Sequence, residues 1–231
     1  KEVLLPLGTA FHVPILWSLC GPIVRRVSKR YFSSALDAYG VPMWVDCAKL
    51  WTQLVVMPIL LWFALKVHDF NLDAWRLCAQ HKWFTSNQER YFDWAFCYIF
   101  LCYMVADFLM LNLDKFMRMH HIGCIVGVIV AFFVFPNGFP DFACGVLALE
   151  YGSAFLNIMC LFPWSRFAFY LYMVGMTASN FAGVFFCIRW MCNEASPVGQ
   201  LIAMSFTAAF VCLRQTAVLS DVIRQISKRS E

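Results

Sequence analysis

The chain has 231 residues, of which 61% are hydrophobic, 18% aromatic and only 14% charged, with a net charge of +4 and a mean hydropathy of +0.66. A soluble globular domain carries about 25% charged residues, so this composition excludes an ordinary soluble domain and points to an integral membrane protein. The basic residues sit in short clusters between apolar runs, with no long basic tract, so nucleic acid is not an expected partner.

Eleven cysteines lie mostly inside apolar runs and form no paired C-x-x-C framework. They read as small buried hydrophobes rather than disulfides or zinc ligands. The expected fold is all-α, a polytopic bundle of six to seven transmembrane helices. Three parts follow from the apolar runs: residues 1–41 as a membrane helix and basic connector, 42–221 as the transmembrane domain, and 222–231 as a basic tail.

Residues 3–24 form the first apolar run, interrupted by Pro6, Gly8, Pro14 and Pro22. About 20 residues suffice to span a bilayer, but proline makes this run an irregular helix. Arg25, Arg26, Lys29 and Arg30 follow it. The second span covers 42–67, where Asp46 and Lys49 are placed to pair at i,i+3 and Pro58 predicts a kink. The connector 68–90 carries Trp75 and Trp83, which favour a segment lying along the membrane interface.

Span three, 91–113, holds Asp107, and span four, 116–135, opens with His120 and His121. Gly123 and Gly127 give span four a G-x-x-x-G step that lets a neighbouring helix approach closely. A strong breaker, 136–141, leads to span five, 142–162, with Glu150 and Asn157 on one face. Pro163 is a good first residue for span six, which carries Thr177, Ser179 and Asn180 at its centre and runs to about Trp190. Span seven, 200–219, carries Arg214 and Gln215.

The lysines and arginines set the orientation. Arg25, Arg26, Lys29, Arg30, Lys115, Arg118, Arg166 and the tail fall on one side of a seven-span bundle. That side is the richer one and is expected to face the cytosol. The expected location is the endoplasmic reticulum membrane, with the mitochondrial inner membrane, basic side to the matrix, as the alternative.

Depth along each helix follows from a rise of about 1.5 Å per residue. Asp46, Lys49, Asp107, His120, His121, Asn157, Arg214 and Gln215 then share a layer beneath the basic face, with Glu150 nearer mid-membrane. An Asp at the centre of a membrane helix costs about 2.5–3.5 kcal/mol on insertion scales. Such residues are kept where they face a protein interior, so this layer suggests a cavity open toward the cytosolic leaflet.

A histidine there serves as general base or as nucleophile toward an acyl group, with Asp107 fixing its tautomer. Arg118, Lys115 and Arg214 are expected at the mouth, where they suit phosphates. Metal is the rival, but adjacent histidines on one helix point about 100° apart and do not easily bind one ion. No metal and no tightly bound cofactor are expected.

Three stretches in order carry a family resemblance: Tyr103 with Asp107 and Phe108, then His120-His121 opening the next helix, then Glu150-Tyr-Gly-Ser-Ala-Phe155-Leu-Asn157. Together they resemble the TLC-domain family of membrane proteins, over about residues 42–221. The resemblance implies a helical fold that holds a lipid or acyl chain. In the ceramide synthases of that family the paired histidines are catalytic and acyl-CoA is a substrate, a role that would fall on His120 and His121. The segments 126–134 and 136–141 depart from the synthases' further motifs, which places the chain among divergent members. Three functions stay open: an acyl-CoA-dependent acyltransferase with catalytic His120, His121 and Asp107 and with Asn157, Glu150, Arg118, Arg214 and Asp46 toward substrate; a non-catalytic lipid-binding protein; and a structural subunit of a larger membrane complex. Membrane lipids are partners in the first two, other membrane subunits in the third.

Overall fold

The computed structural model describes residues 26, 35–37, 41–81, 90–110 and 115–230, in part by backbone alone. The expected first span, the basic connector behind it apart from Arg26, and Trp83 lie outside the described residues. Seven helices follow in chain order: α1 Met43–Val67, α2 Leu72–His81, α3 Tyr91–Met110, α4 Lys115–Ile129, α5 Phe139–Leu161, α6 Arg166–Asn193 and α7 Pro197–Ser230. Among the described residues the one extended pairing is an isolated bridge between Leu36 and Pro42. Four helices are long and apolar enough to cross a membrane, namely α1, α5 with its lead-in from Pro136, α6, and α7 up to Ile223. The apolar stretches Tyr91–Val105 and Arg118–Val134 are shorter.

Apolar side chains such as Phe167, Phe181 and Val174 stand exposed on α6. That is the outer surface of a membrane protein, since lipid rather than water solvates it. Ahead of Pro58, where a kink is expected, α1 widens into a π-turn over Thr52–Val56, and Met57 N–H reaches back to Thr52 O. The wide turn lies directly before the proline, which has no N–H to continue the ladder. Helix α4 also ends in a π-turn, Val130–Val134, followed by a 3-10 turn, Pro136–Gly138.

The connector after α1 departs from its expected place at the interface. His68 to Asn71 make a tight turn with Asp69 and Phe70 at φ 51° and 56°, and the Asn71 side chain caps α2 by accepting from the Asp73 and Ala74 amides. Trp75 is fully buried, stacked on His68 and edge-on to Phe139. Its indole N–H donates to Asp93 Oδ2 at 3.1 Å, so the ring is a core anchor between α2 and α3 rather than an interfacial one.

Pro163 does not open α6 either. It lies in the turn after α5, and Ser165 caps the helix by accepting from Ala168 N–H at 3.2 Å.

Helix α5 is the central element, packed on α1, α6 and the α2 end of the bundle. Its seam with α6 needs glycine: a Cβ at Gly175 would overlap the Phe155 ring, and one at Gly152 would overlap Ser179 and Arg214. One apolar core, including Met57, Leu61, Phe96, Phe100, Phe132, Phe139 and Leu147, joins α1, α3, α4 and α5. At the α2 end, Asp141 is fully buried and accepts from Arg76 NH2 and Arg189 Nε, each at 2.8 Å. Asp73 pairs with the same two arginines.

Candidate functional site

At the other end of the bundle the polar residues gather as the layer expected from the sequence. Asp107, near the end of α3, and His121, in the second turn of α4, are both buried. His121 Nε2 stands 3.3 Å from Asp107 Oδ2. The same carboxylate oxygen receives Lys49 Nζ of α1 at 2.9 Å. One oxygen thus gathers an ammonium and an imidazole from two other helices.

This corrects the expected Asp46–Lys49 partnership. The long-range carboxylate takes the lysine, while Asp46 is buried beside both with its Oδ2 lacking a hydrogen-bond donor. A pair within one helix at i,i+3 is worth a few tenths of a kcal/mol, about 0.2–0.5. Asp46 is no less buried than Asp107, and what distinguishes Asp107 is that its carboxylate also meets His121, so the lysine joins a contact between three helices.

His120 turns away from Asp107, as adjacent positions on a helix must. Its ring meets the His121 ring edge-on at 5.5 Å and the Phe210 ring of α7 at 5.0 Å. Gly123 and Gly127 admit aromatic side chains rather than a neighbouring backbone: their missing Cβ positions face Phe210 and Phe142.

Glu150 and Asn157 do share a face of α5, and a residue absent from the sequence-derived candidates joins them. Gln53 of α1 donates from Nε2 to Glu150 Oε2 at 2.7 Å and accepts from Asn157 Nδ2 at 2.8 Å. The same Nε2 lies 3.2 Å from the Tyr103 hydroxyl of α3. Gln53 is completely buried. Its place was readable in one respect: it lies four residues after Lys49 and seven after Asp46, on the same stripe of α1.

Arg214 is not at a mouth. It is buried, and its guanidinium donates to Asn180 Oδ1, Ser153 Oγ, Ser179 Oγ and the Leu149 carbonyl at 2.7–3.1 Å. Its side chain occupies the space that Gly152 leaves open. Gln215 beside it accepts from Asn180 Nδ2. Glu150 lies within charge–charge range of Arg214, Asp107 and His121 and so connects the two halves of the layer. Of the two expected cationic contacts for phosphate with described side chains, Arg118 is exposed and Arg214 is buried.

The layer therefore offers an imidazole oriented by a carboxylate, a lysine sharing that carboxylate, and a hydrogen-bonded amide network beneath. His121 faces Asp107 through Nε2, and that contact orients the ring. Among the described residues no group of His, Cys, Asp and Glu stands together as a metal ion needs.

Fold and site together define an all-helical membrane protein with a buried ionisable layer near one end of the bundle. No protein-family model matches the chain, and no curated protein or solved structure matches it either.

Proposed function

We propose that the chain is a divergent TLC-domain protein of the endoplasmic reticulum membrane that handles lipid and transfers an acyl group from acyl-CoA to a lipid amine or hydroxyl. The observation that carries this reading is the set in which the half-buried Lys49 meets the buried Asp107 and His121, assembled from three helices within a chain only 14% charged. Ionisable groups so placed in membrane helices are costly and mark functional sites.

In the proposed reaction the His121 imidazole takes the proton from the acceptor as the acceptor's nitrogen or oxygen attacks the thioester carbonyl. Asp107 orients the ring and offsets the charge it gains. The carbon–sulfur bond breaks, and the CoA thiolate leaves and takes up the proton. Acyl-CoA is a substrate here, not a resident cofactor. The exposed guanidinium of Arg118, near the start of α4, is placed to meet its phosphates.

The test is purified protein with acyl-CoA and a panel of amine and hydroxyl lipids. His121→Ala should lower turnover by about 10²–10⁴ while folded protein still accumulates, and Asp107→Asn should cost less. Absence of turnover by the wild-type chain across the panel would sink the enzyme reading. The exposed Trp164, Phe167 and Phe181 at and along α6 support a second reading, a lipid-binding or structural subunit docked through that face. Mass measurement of the complex extracted in mild detergent separates the two.

A further inference from the structure

Helix α4 also carries a nucleophile–base pair, one that the His121 chemistry does not use. His120 and Cys124 are four residues apart and so lie one above the other on one helix face. Cys124 Sγ is 3.7 Å from His120 Nε2, and both side chains are half-buried. The Phe210 ring holds the His120 ring edge-on from α7, and it fits there because residue 123 is glycine, where a Cβ would come within 2.9 Å of that ring. On its other side His120 meets His121. A carboxylate, two imidazoles and a thiol thus follow one another from α3 along α4.

A thiol beside an imidazole is the standard pairing for covalent acyl transfer, and two bases in one site suit a reaction in two halves. We propose that Cys124 is a covalent acyl site, loaded from acyl-CoA with His120 as its base and unloaded to the lipid acceptor with His121 as base. This rests on the acyl-CoA reading above and adds an intermediate to it.

The loading step balances without any other reactant. The Cys124 S–H proton passes to His120 Nε2 as the sulfur attacks the thioester carbonyl. The bond from that carbon to the CoA sulfur breaks, and the leaving thiolate takes the proton back from His120. One thioester replaces another, so no energy source or oxidant is required. The acyl chain is then anchored among the apolar side chains of α4 and α7, and the CoA departs before the acceptor arrives.

The experiment incubates the purified full chain in detergent with an alkyne-tagged palmitoyl-CoA and maps the hydroxylamine-sensitive label by mass spectrometry. The expected result is label at Cys124 that forms faster than at the exposed Cys192 and Cys212, which report uncatalysed acylation. His120→Gln should slow labelling of Cys124 by about 10²–10⁴ and leave the two exposed cysteines unchanged. Cys124→Ser alters a single atom and so keeps the fold; the hydroxylamine-sensitive label at that position must vanish. If Cys124 is labelled in this way and no lipid removes the label, the acyl site stands and the transferase reading falls. If Cys124→Ser acylates lipid at the wild-type rate, or Cys124 labels no faster than Cys192, the covalent site is overturned while the transferase reading is untouched.

Discussion

Gln53 shows how much one buried amide can organise. Its carbonyl oxygen and amide nitrogen satisfy Asn157 and Glu150 together, tying α1 to α5 at the level of the site. Replacement by Leu keeps the volume but leaves a buried amide and a buried carboxylate short of a partner. Each orphan costs about 1–3 kcal/mol, so Gln53→Leu should lower the detergent-solubilised melting temperature clearly. Because the two residues share one hydrogen bond, the double change Gln53→Leu with Asn157→Leu should cost less than the sum of the two single changes. An unchanged melting temperature would show that the network contributes nothing to stability. The sequence displayed Asp107, His121, Glu150 and Asn157 because each is a polar exception within an apolar run. It hid the partner choice of Lys49, because a local carboxylate at i,i+3 is visible in the sequence and a competing one from α3 is not.

At the scale of single helices, periodicity placed the elements and misjudged how their ends are finished. The π-turn before Pro58 and the serine cap at Ser165 are local solutions to missing or unsatisfied backbone donors, and several chain paths solve that problem equally well. Trp75 was misplaced for a related reason: a tryptophan between apolar runs has the same sequence signature whether it lies in headgroups or under a short helix. What decided it was Asp93, which accepts from Trp75 and from Arg90 Nε within the core.

The α5–α6 seam gives a sharp prediction. Gly152 lies where Ser179 and Arg214 approach the α5 backbone, and Arg214 NH2 already bonds the Leu149 carbonyl one turn away at 2.7 Å. Gly152→Val must push the guanidinium off its acceptors, adding lost hydrogen bonds to the usual overpacking cost of about 1–3 kcal/mol. The variant should be recovered in much lower yield as monodisperse protein, whereas Val at the exposed Tyr151 next to it should be tolerated. Equal recovery of the two would contradict the packing described for the seam.

Across the whole molecule, two polar ends are separated by an apolar middle, and that arrangement bears on how often the chain crosses the membrane. Helices α3 and α4 fall short as apolar stretches, yet they touch both ends. Asp93 and Phe132 pack at the Trp75–Phe139 end, and Asp107 and His121 meet Lys49 at the other. The 20 residues of α3 rise about 30 Å, the thickness of a bilayer's hydrocarbon core. Six crossings by the described helices are therefore expected, α3 and α4 included. Epitopes inserted between Leu113 and Asp114, in the 162–165 turn, and after Glu231 should all be read by antibody from the cytosolic side of selectively permeabilised cells. An epitope in the turn after α1, at Asp69, should be read from the opposite side alone. If the Leu113 epitope is read from neither side while the other three behave as stated, α3 and α4 form a re-entrant hairpin and the described bundle crosses four times. The histidines would then sit at the tip of that hairpin, inside the bilayer, and a water-soluble acyl-CoA could not reach them from the basic face.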